Sequence, residues 1–142
     1  MSTLSAAVTA SASALAAERT RIEVAVSNLA NAESTRGPDG QPYRRRDVVL
    51  APDRTSSFDA ALGKAGAVGV NVAAVVEDQA PFRRRYEPSH PDADAEGFVI
   101  LPNVDPQNEM VDLIGASRAY QANLTAISMI RDLVSRALEL GR

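Results

Sequence analysis

The sequence contains no cysteine and no tryptophan, and aromatic residues make up only 4% of it. Without cysteine there are no disulfides, thiolate metal sites or thiol nucleophiles, and the redox compartment stays open. The large side chains that dominate core energetics are scarce. The 45% hydrophobic content is carried mainly by alanine and valine, which points to a chain that relies on neighbours for part of its burial. Charge is lacking too. A net charge of -3 and a pI near 5.1 give the whole-protein field no reason to draw in nucleic acid or an anionic membrane surface. No run approaches the ~20 apolar residues of a membrane span, so direct membrane insertion is not expected. The alanine-rich stretch 5–17 imitates a signal-peptide core, but no Lys or Arg precedes it and the first charge is Glu18. Export with the N-terminus retained is therefore expected if the protein works outside the cytoplasm.

What is present falls into three segments within 142 residues, one domain's worth of chain. Residues 1–35 read as a helix over about 2–32, free of Gly and Pro, with Ser2 or Thr3 as N-cap and a stop at Gly37, Pro38 and Gly40. Leu4, Val8, Ser11, Leu15, Glu18, Ile22, Ala25 and Leu29 alternate in steps of four and three, the seam of a coiled coil, though Ser11, Glu18 and Ala25 fill it poorly. Residues 105–142 mirror this. Asp105 and Pro106 supply an N-cap and a first-turn proline, and Met110, Leu113, Ser117, Tyr120, Leu124, Ile127, Arg131, Val134 and Leu138 form a second seam running up to Gly141. Ile130, Leu133, Ala137 and Leu140 add another apolar row, wider than one antiparallel partner covers. An intramolecular two-helix hairpin is the plain reading of these seams. Their poor filling and the extra row favour assembly with further molecules.

Between the helices, residues 36–104 show a period of two. Val70, Val72, Ala74 and Val76 alternate with Asn71, Ala73, Val75 and Glu77, and Phe82, Arg84 and Tyr86 alternate with Arg83 and Arg85, which predicts a hairpin of these two runs. Residues 43–50 and 97–101 are further strand candidates. Residues 51–69 predict a mobile loop with at most a short helix around 58–62. The fold class expected is α+β, mainly α: two long terminal helices forming a coiled-coil-like pair, with a small β-rich module inserted between them.

Two clusters suggest chemistry. Glu87, His90, Asp92, Asp94 and Glu96 before Gly97 hold the one histidine among carboxylates and resemble the start of a calcium loop, but the twelfth position, where a bidentate Glu is needed, is Asn103. Phe98 onward reads as strand, and no nucleophile lies near His90, so a hydrogen-bonded turn is preferred over metal, cofactor or catalytic chemistry. A periplasmic metal-binding or hydrolase-like module built on His90, Asp92 and Asp94 is the alternative. The triplets Arg44 to Arg46 and Arg83 to Arg85, with Tyr43, Phe82 and Tyr86 nearby, could stack nucleic acid. Strand alternation and edge protection, or pairing with an acidic surface of another subunit, explain them better. Gly63, Gly66 and Gly69 lack the lysine of a phosphate loop. Glu18 and Arg131, both on seams, are a candidate ion pair, with each other or with a neighbouring subunit.

Three stretches resemble a known family. Ser27-Asn28-Leu29-Ala30-Asn31-Ala32 with Thr35 is similar to the asparagine-rich signature that ends the first helix of axial proteins. Pro81-Phe82, Tyr86-Glu87-Pro88 and His90-Pro91-Asp92-Ala93-Asp94 leading to Gly97-Phe98-Val99 form the second. The third is Pro102-Asn103-Val104, Glu109-Met110-Val111-Asp112 and Arg118-Ala119-Tyr120-Gln121-Ala122-Asn123. Together they resemble the flagellar basal-body rod proteins, nearest the proximal-rod branch. The resemblance implies a structural, noncatalytic subunit of the periplasmic drive-shaft and export channel. Such a subunit leaves through the flagellar type III apparatus without signal cleavage and assembles helically with other rod proteins and with copies of itself. The interface residues expected are Leu4, Val8, Leu15, Ile22, Asn28, Leu29 and Asn31 on the first helix, and Met110, Leu113, Tyr120, Gln121, Asn123, Leu124, Ile127, Val134 and Leu138 on the second.

Overall fold

In a computed structural model, residues 3–37, 40–53 and 68–140 are described. Helix α1 spans Thr3–Ala30 and helix α2 spans Pro106–Leu140, with four strands between them: β1 (Arg46–Pro52), β2 (Val70–Glu77), β3 (Arg83–Tyr86) and β4 (Phe98–Leu101). The helices are about 42 and 52 Å long at ~1.5 Å per residue. The α+β, mainly helical class inferred from the sequence is what is found. Ser2, Gly141 and the short helix expected around 58–62 lie outside the described residues.

Helix α1 forms because its interior is alanine-rich and unbroken, and it carries the local pairs Arg19–Glu23 on its exposed face and Glu18–Arg21 on a partly buried one. It ends two residues earlier than the sequence suggested. Asn31 N–H divides between the Ser27 and Asn28 carbonyls, while the Asn31 side-chain amide donates to the Ser27 carbonyl at 2.8 Å. The start of α2 is capped as expected: Asp105 Oδ1 accepts from Gln107 N–H at 3.0 Å.

The two helices pack against each other within one chain. Asn28, near the end of α1, hydrogen-bonds Glu109, in the first turn of α2, so the helices must run antiparallel. The plain hairpin reading of the seams is thus realised, but incompletely. Counting back from Asn28 to Thr3, and equally forward from Glu109, brings the start of α1 opposite Val134. Beyond it α2 has no helical partner among the described residues, and every residue from 131 to 140 is exposed. Small residues, Ala17 and Ala25 on α1 and Ala116 on α2, are buried in the helical layer, and Val99 and Leu101 of β4 and Val104, just ahead of α2, are buried as well.

The strand pairing differs from that read in the sequence. The run 70–77 does not pair with 83–86. Instead β1 pairs antiparallel with β2, and β3 with β4, in two separate two-stranded sheets. The reason lies in the link between β2 and β3. Asp78 N–H bonds the Arg45 carbonyl, continuing the β1–β2 ladder, and the Asp78 and Ala80 carbonyls are taken by Asn103 and Arg44, so the chain is led away before it can double back. Strand β1 also begins and ends later than the candidate run 43–50. In its ladder a register shift between Val49 and Leu50 leaves Ala73 of β2 as a bulge.

The β1–β2 ribbon lies along α1. The Asn28 amide holds Arg46 at one end, and Ser13 Oγ accepts from Val70 N–H at the other, 3.0 Å away. Six strand steps cover ~20 Å and fifteen helical residues ~22 Å, so ribbon and helix match in length between these ties.

Candidate functional site

The signature segments converge on one buried polar junction. Asn28 is 1% exposed and Glu109 2%. Asn28 Nδ2 donates to the Arg46 carbonyl at 2.8 Å and to Glu109 Oε2 at 3.0 Å, while its Oδ1 accepts from Arg46 N–H at 3.0 Å and from the Tyr43 hydroxyl at 2.9 Å. Both donors and both lone pairs of the amide are used. Toward β1, Asn28 thus imitates a neighbouring strand, giving Arg46 one donor and one acceptor.

Glu109 is held from its other side by Arg45, whose Nε lies 2.6 Å from Oε1. Arg45 also approaches Asp47, Asp78 and Asp112, at 3.5, 3.9 and 3.7 Å. Burial acts to lower the Arg45 pKa, but the hydrogen bond and charge of Glu109, helped by Asp47, overcome this and leave it above the ordinary arginine value. The Arg45 N–H donates to Asn103 Oδ1 at 2.8 Å, and Asn103 Nδ2 reaches the Asp78 carbonyl at 3.1 Å. One network therefore ties α1, β1, the β2–β3 link and α2. Among the described residues no buried side-chain polar atom lacks a partner.

A second junction joins the end of α1 to the acidic turn. Asp92 accepts from the Thr35 hydroxyl at 2.8 Å and pairs with Arg36 at 3.0 Å, and Glu33 pairs with Arg83 and Arg85. Within the turn, Asp94 Oδ1 accepts from Phe98 N–H at 2.8 Å and Glu96 N–H at 2.9 Å, and Oδ2 meets Arg84 at 3.2 Å. The Phe98 N–H foremost, then Glu96 N–H and Arg84, hold the Asp94 carboxyl below its usual pKa. His90 Nδ1 accepts from Asp92 N–H. Gly97 has φ +84°, and a Cβ there would stand 2.9 Å from the Tyr86 ring. This is a hydrogen-bonded turn, and among the described residues no group of three His, Asp or Glu is placed to hold a metal. The metal-dependent alternative finds no support.

Four of the six arginines in the two triplets, Arg45 and Arg83 to Arg85, pair with carboxylates inside the chain. Arg83, Arg84 and Arg85 pair with Glu33, Asp94, Glu96 and Glu87, and the Arg85 pKa is raised by its hydrogen bonds to Glu33 and Glu87. Aromatic faces that could have stacked bases carry guanidinium groups: Arg44 over Phe82, Arg46 over Tyr43 and Arg84 over Phe98. Glu18 and Arg131 do not pair with each other; Glu18 is held by Arg21 one turn away, and Arg131 is exposed.

The expected interface residues divide. On α1, Val8, Leu15, Ile22, Leu29 and Asn31 are half-buried, Leu4 is exposed and Asn28 is fully enclosed in the polar junction. On α2, Leu113, Tyr120, Asn123 and Ile127 are half-buried, while Met110, Gln121, Leu124, Val134 and Leu138 face outward. Sequence reasoning gave Ser13 no role, grouped Tyr43 and Arg45 in a cluster without naming their partners, and read Asn103 only as a calcium-loop mismatch and part of a signature. The available signal was a glutamate in the first turn of α2 with an arginine triplet elsewhere to neutralise it.

Comparison with known proteins matches residues 8–38 to a family model described as flagella basal body rod protein, and residues 95–140 to one described as flagellar basal body rod FlgEFG protein C-terminal. The flagellar basal-body rod protein FlgC of Salmonella typhimurium is 50% identical over 130 residues, covering 92% of both chains. Its counterpart in Escherichia coli O6:H1 is 48% identical over the same length, and that of Bacillus subtilis is 45% identical over 143 residues, covering 93% of this chain and 94% of that one.

Proposed function

From a chain that belongs to the FlgC family of flagellar basal-body rod proteins, and is a structural subunit of that rod, we propose that assembly proceeds through the uncovered parts of its helix pair. The observation that carries this is the projection of α2 beyond α1. Leu138 is 70% exposed and Leu140 90%, with Leu133 and Val134 beside them, so an apolar helical end stands without a partner among the described residues. Met110, Val111, Ile114, Leu124 and Met129 add exposed apolar positions along the same helix. Other rod subunits and further copies of this chain would cover these surfaces by heterologous contacts, which leave an open end for the next subunit.

The same reading makes the chain a noncatalytic building block of the periplasmic shaft, exported through the flagellar type III apparatus with its N-terminus intact. Among the described residues, no helix is long and apolar enough to cross a membrane. The test replaces Leu133, Val134, Leu138 and Leu140 by serine in the full chain. The isolated variant should melt nearly like the parent, because these side chains are all exposed within the subunit, yet rods and motility should be lost. Motility at parental level would end the proposal. Mass measurement of the subunit from purified basal bodies checks that its N-terminus is uncleaved.

A further inference from the structure

A cleft of about 460 Å³ opens between the exit of α1, the segment entering β1, and Phe82. Among the described residues its walls carry Arg36, Arg44 and Arg46 against one carboxylate, Glu77, in a chain whose net charge is -3. All three guanidinium groups are held in place, Arg36 by its ion pair with Asp92 at 3.0 Å. Arg44 lies 4.5 Å above the Phe82 ring and donates to the Asp78 and Ala80 carbonyls. Arg46 lies 5.7 Å above the Tyr43 ring, whose hydroxyl is fixed by Asn28, and the Arg46 backbone is gripped on both sides by the same amide. Arg46 stands directly across the ladder from Glu77, where an ion pair would form readily, yet its guanidinium rests on Tyr43 instead. Among the described residues neither Arg44 nor Arg46 has a carboxylate partner.

We infer that this cleft is a docking site for a carboxylate-bearing extended segment of another protein subunit. A guanidinium stacked on a ring keeps its N–H edge open and oriented, and that edge matches a carboxylate in bidentate fashion. Immobilising it beforehand removes an entropic cost of binding. The cleft is too small for a helix ~10 Å across and suits a few side chains of an extended strand or loop. Glu77 at its rim opposes a doubly charged phosphate more than a single carboxylate. The inference rests on the assembly reading only for who supplies the segment.

The experiment titrates the isotope-labelled full chain with a tetraglutamate peptide and follows the Arg46 Nε–H and Tyr43 ring resonances. These should move saturably with tetraglutamate and not with tetraglutamine. Arg46→Gln should weaken binding by about tenfold or more, the loss of one bidentate contact, while Arg131→Gln leaves it unchanged; far-UV circular dichroism checks that both variants are folded. Equal shifts with tetraglutamine, an undiminished response in Arg46→Gln, or the same shifts with inorganic phosphate at equal concentration would each overturn the inference. Serine substitution of the α2 end leaves this titration unchanged, so failure of the cleft and failure of helix-mediated assembly are read separately.

Discussion

Asn28 and Glu109 meet at 3.0 Å across 81 positions of sequence, both nearly sealed from solvent, and this contact sets the register of the two helices. An amide that uses all four of its hydrogen-bonding valences has no equivalent among the other side chains of similar size. Asn28→Ala strands the Arg46 peptide groups and one oxygen of Glu109, and should cost about 3 kcal/mol in urea unfolding of the full chain. Asn28→Asp should be at least as damaging, since it sets a second carboxylate against Glu109.

Gly97 and Gly40 both have positive φ, at 84° and 80°, but only Gly97 is crowded, by Tyr86 and Pro88. Gly97→Ala should therefore destabilise by about 2 kcal/mol, and Gly40→Ala by about 1 kcal/mol, the backbone term alone. Thermal melts of the two variants compare them directly.

Gly69 is pressed against the helix, where an added Cβ would lie 2.9 Å from Ser13 Oγ. Ser13→Ala removes the acceptor of Val70 N–H and should cost about 1 kcal/mol. Because it also removes the obstructing oxygen, Gly69→Ala should be milder in the Ser13→Ala background than in the parent. A double-mutant cycle should return a coupling of about 1 kcal/mol, and additivity would show that ribbon and helix do not touch there in solution.

The lowered Asp94 pKa gives the acidic turn a defined response to acid. Around the unfolded value of 3.8 the folded chain binds fewer protons at this carboxyl than the unfolded chain does. Its contribution to stability is complete above that value and is lost as the pH falls through the lower, folded one. Amide exchange at Glu96 and Phe98 should accelerate in that range before the helices unfold, and Asp94→Asn should remove this local step.

The two helices, their capping at Asp105 and the β-rich insert were legible because each rests on local periodicity and on residues that start or stop an element. The pairing of strands was not. Residues 70–77 and 83–86 both alternate and sit close in sequence, which suggests a hairpin, but the choice was made by Asn103 and Arg44 capturing the link between them, a long-range effect that periodicity does not carry. The exposed seam residues of α2 were legible as apolar, and the fate of Asn28 was not: nothing local distinguishes an asparagine at a helix end that caps from one that is buried against a glutamate eighty-one positions away. The partners of Arg45, Arg84 and Arg85 were not legible for the same reason, since the acids, Glu109, Asp94 and Glu33, come from separate elements.

The ribbon along α1 is closed at its outer end by Asp53 N–H bonding the Gly69 carbonyl at 2.8 Å, immediately beside the tie to Ser13. Among the described residues, this rung and the Ser13 tie together fix the outer end of the ribbon. Because the rung already brings Asp53 and Gly69 together, the closure cost of the chain that joins them rises only slowly with its length.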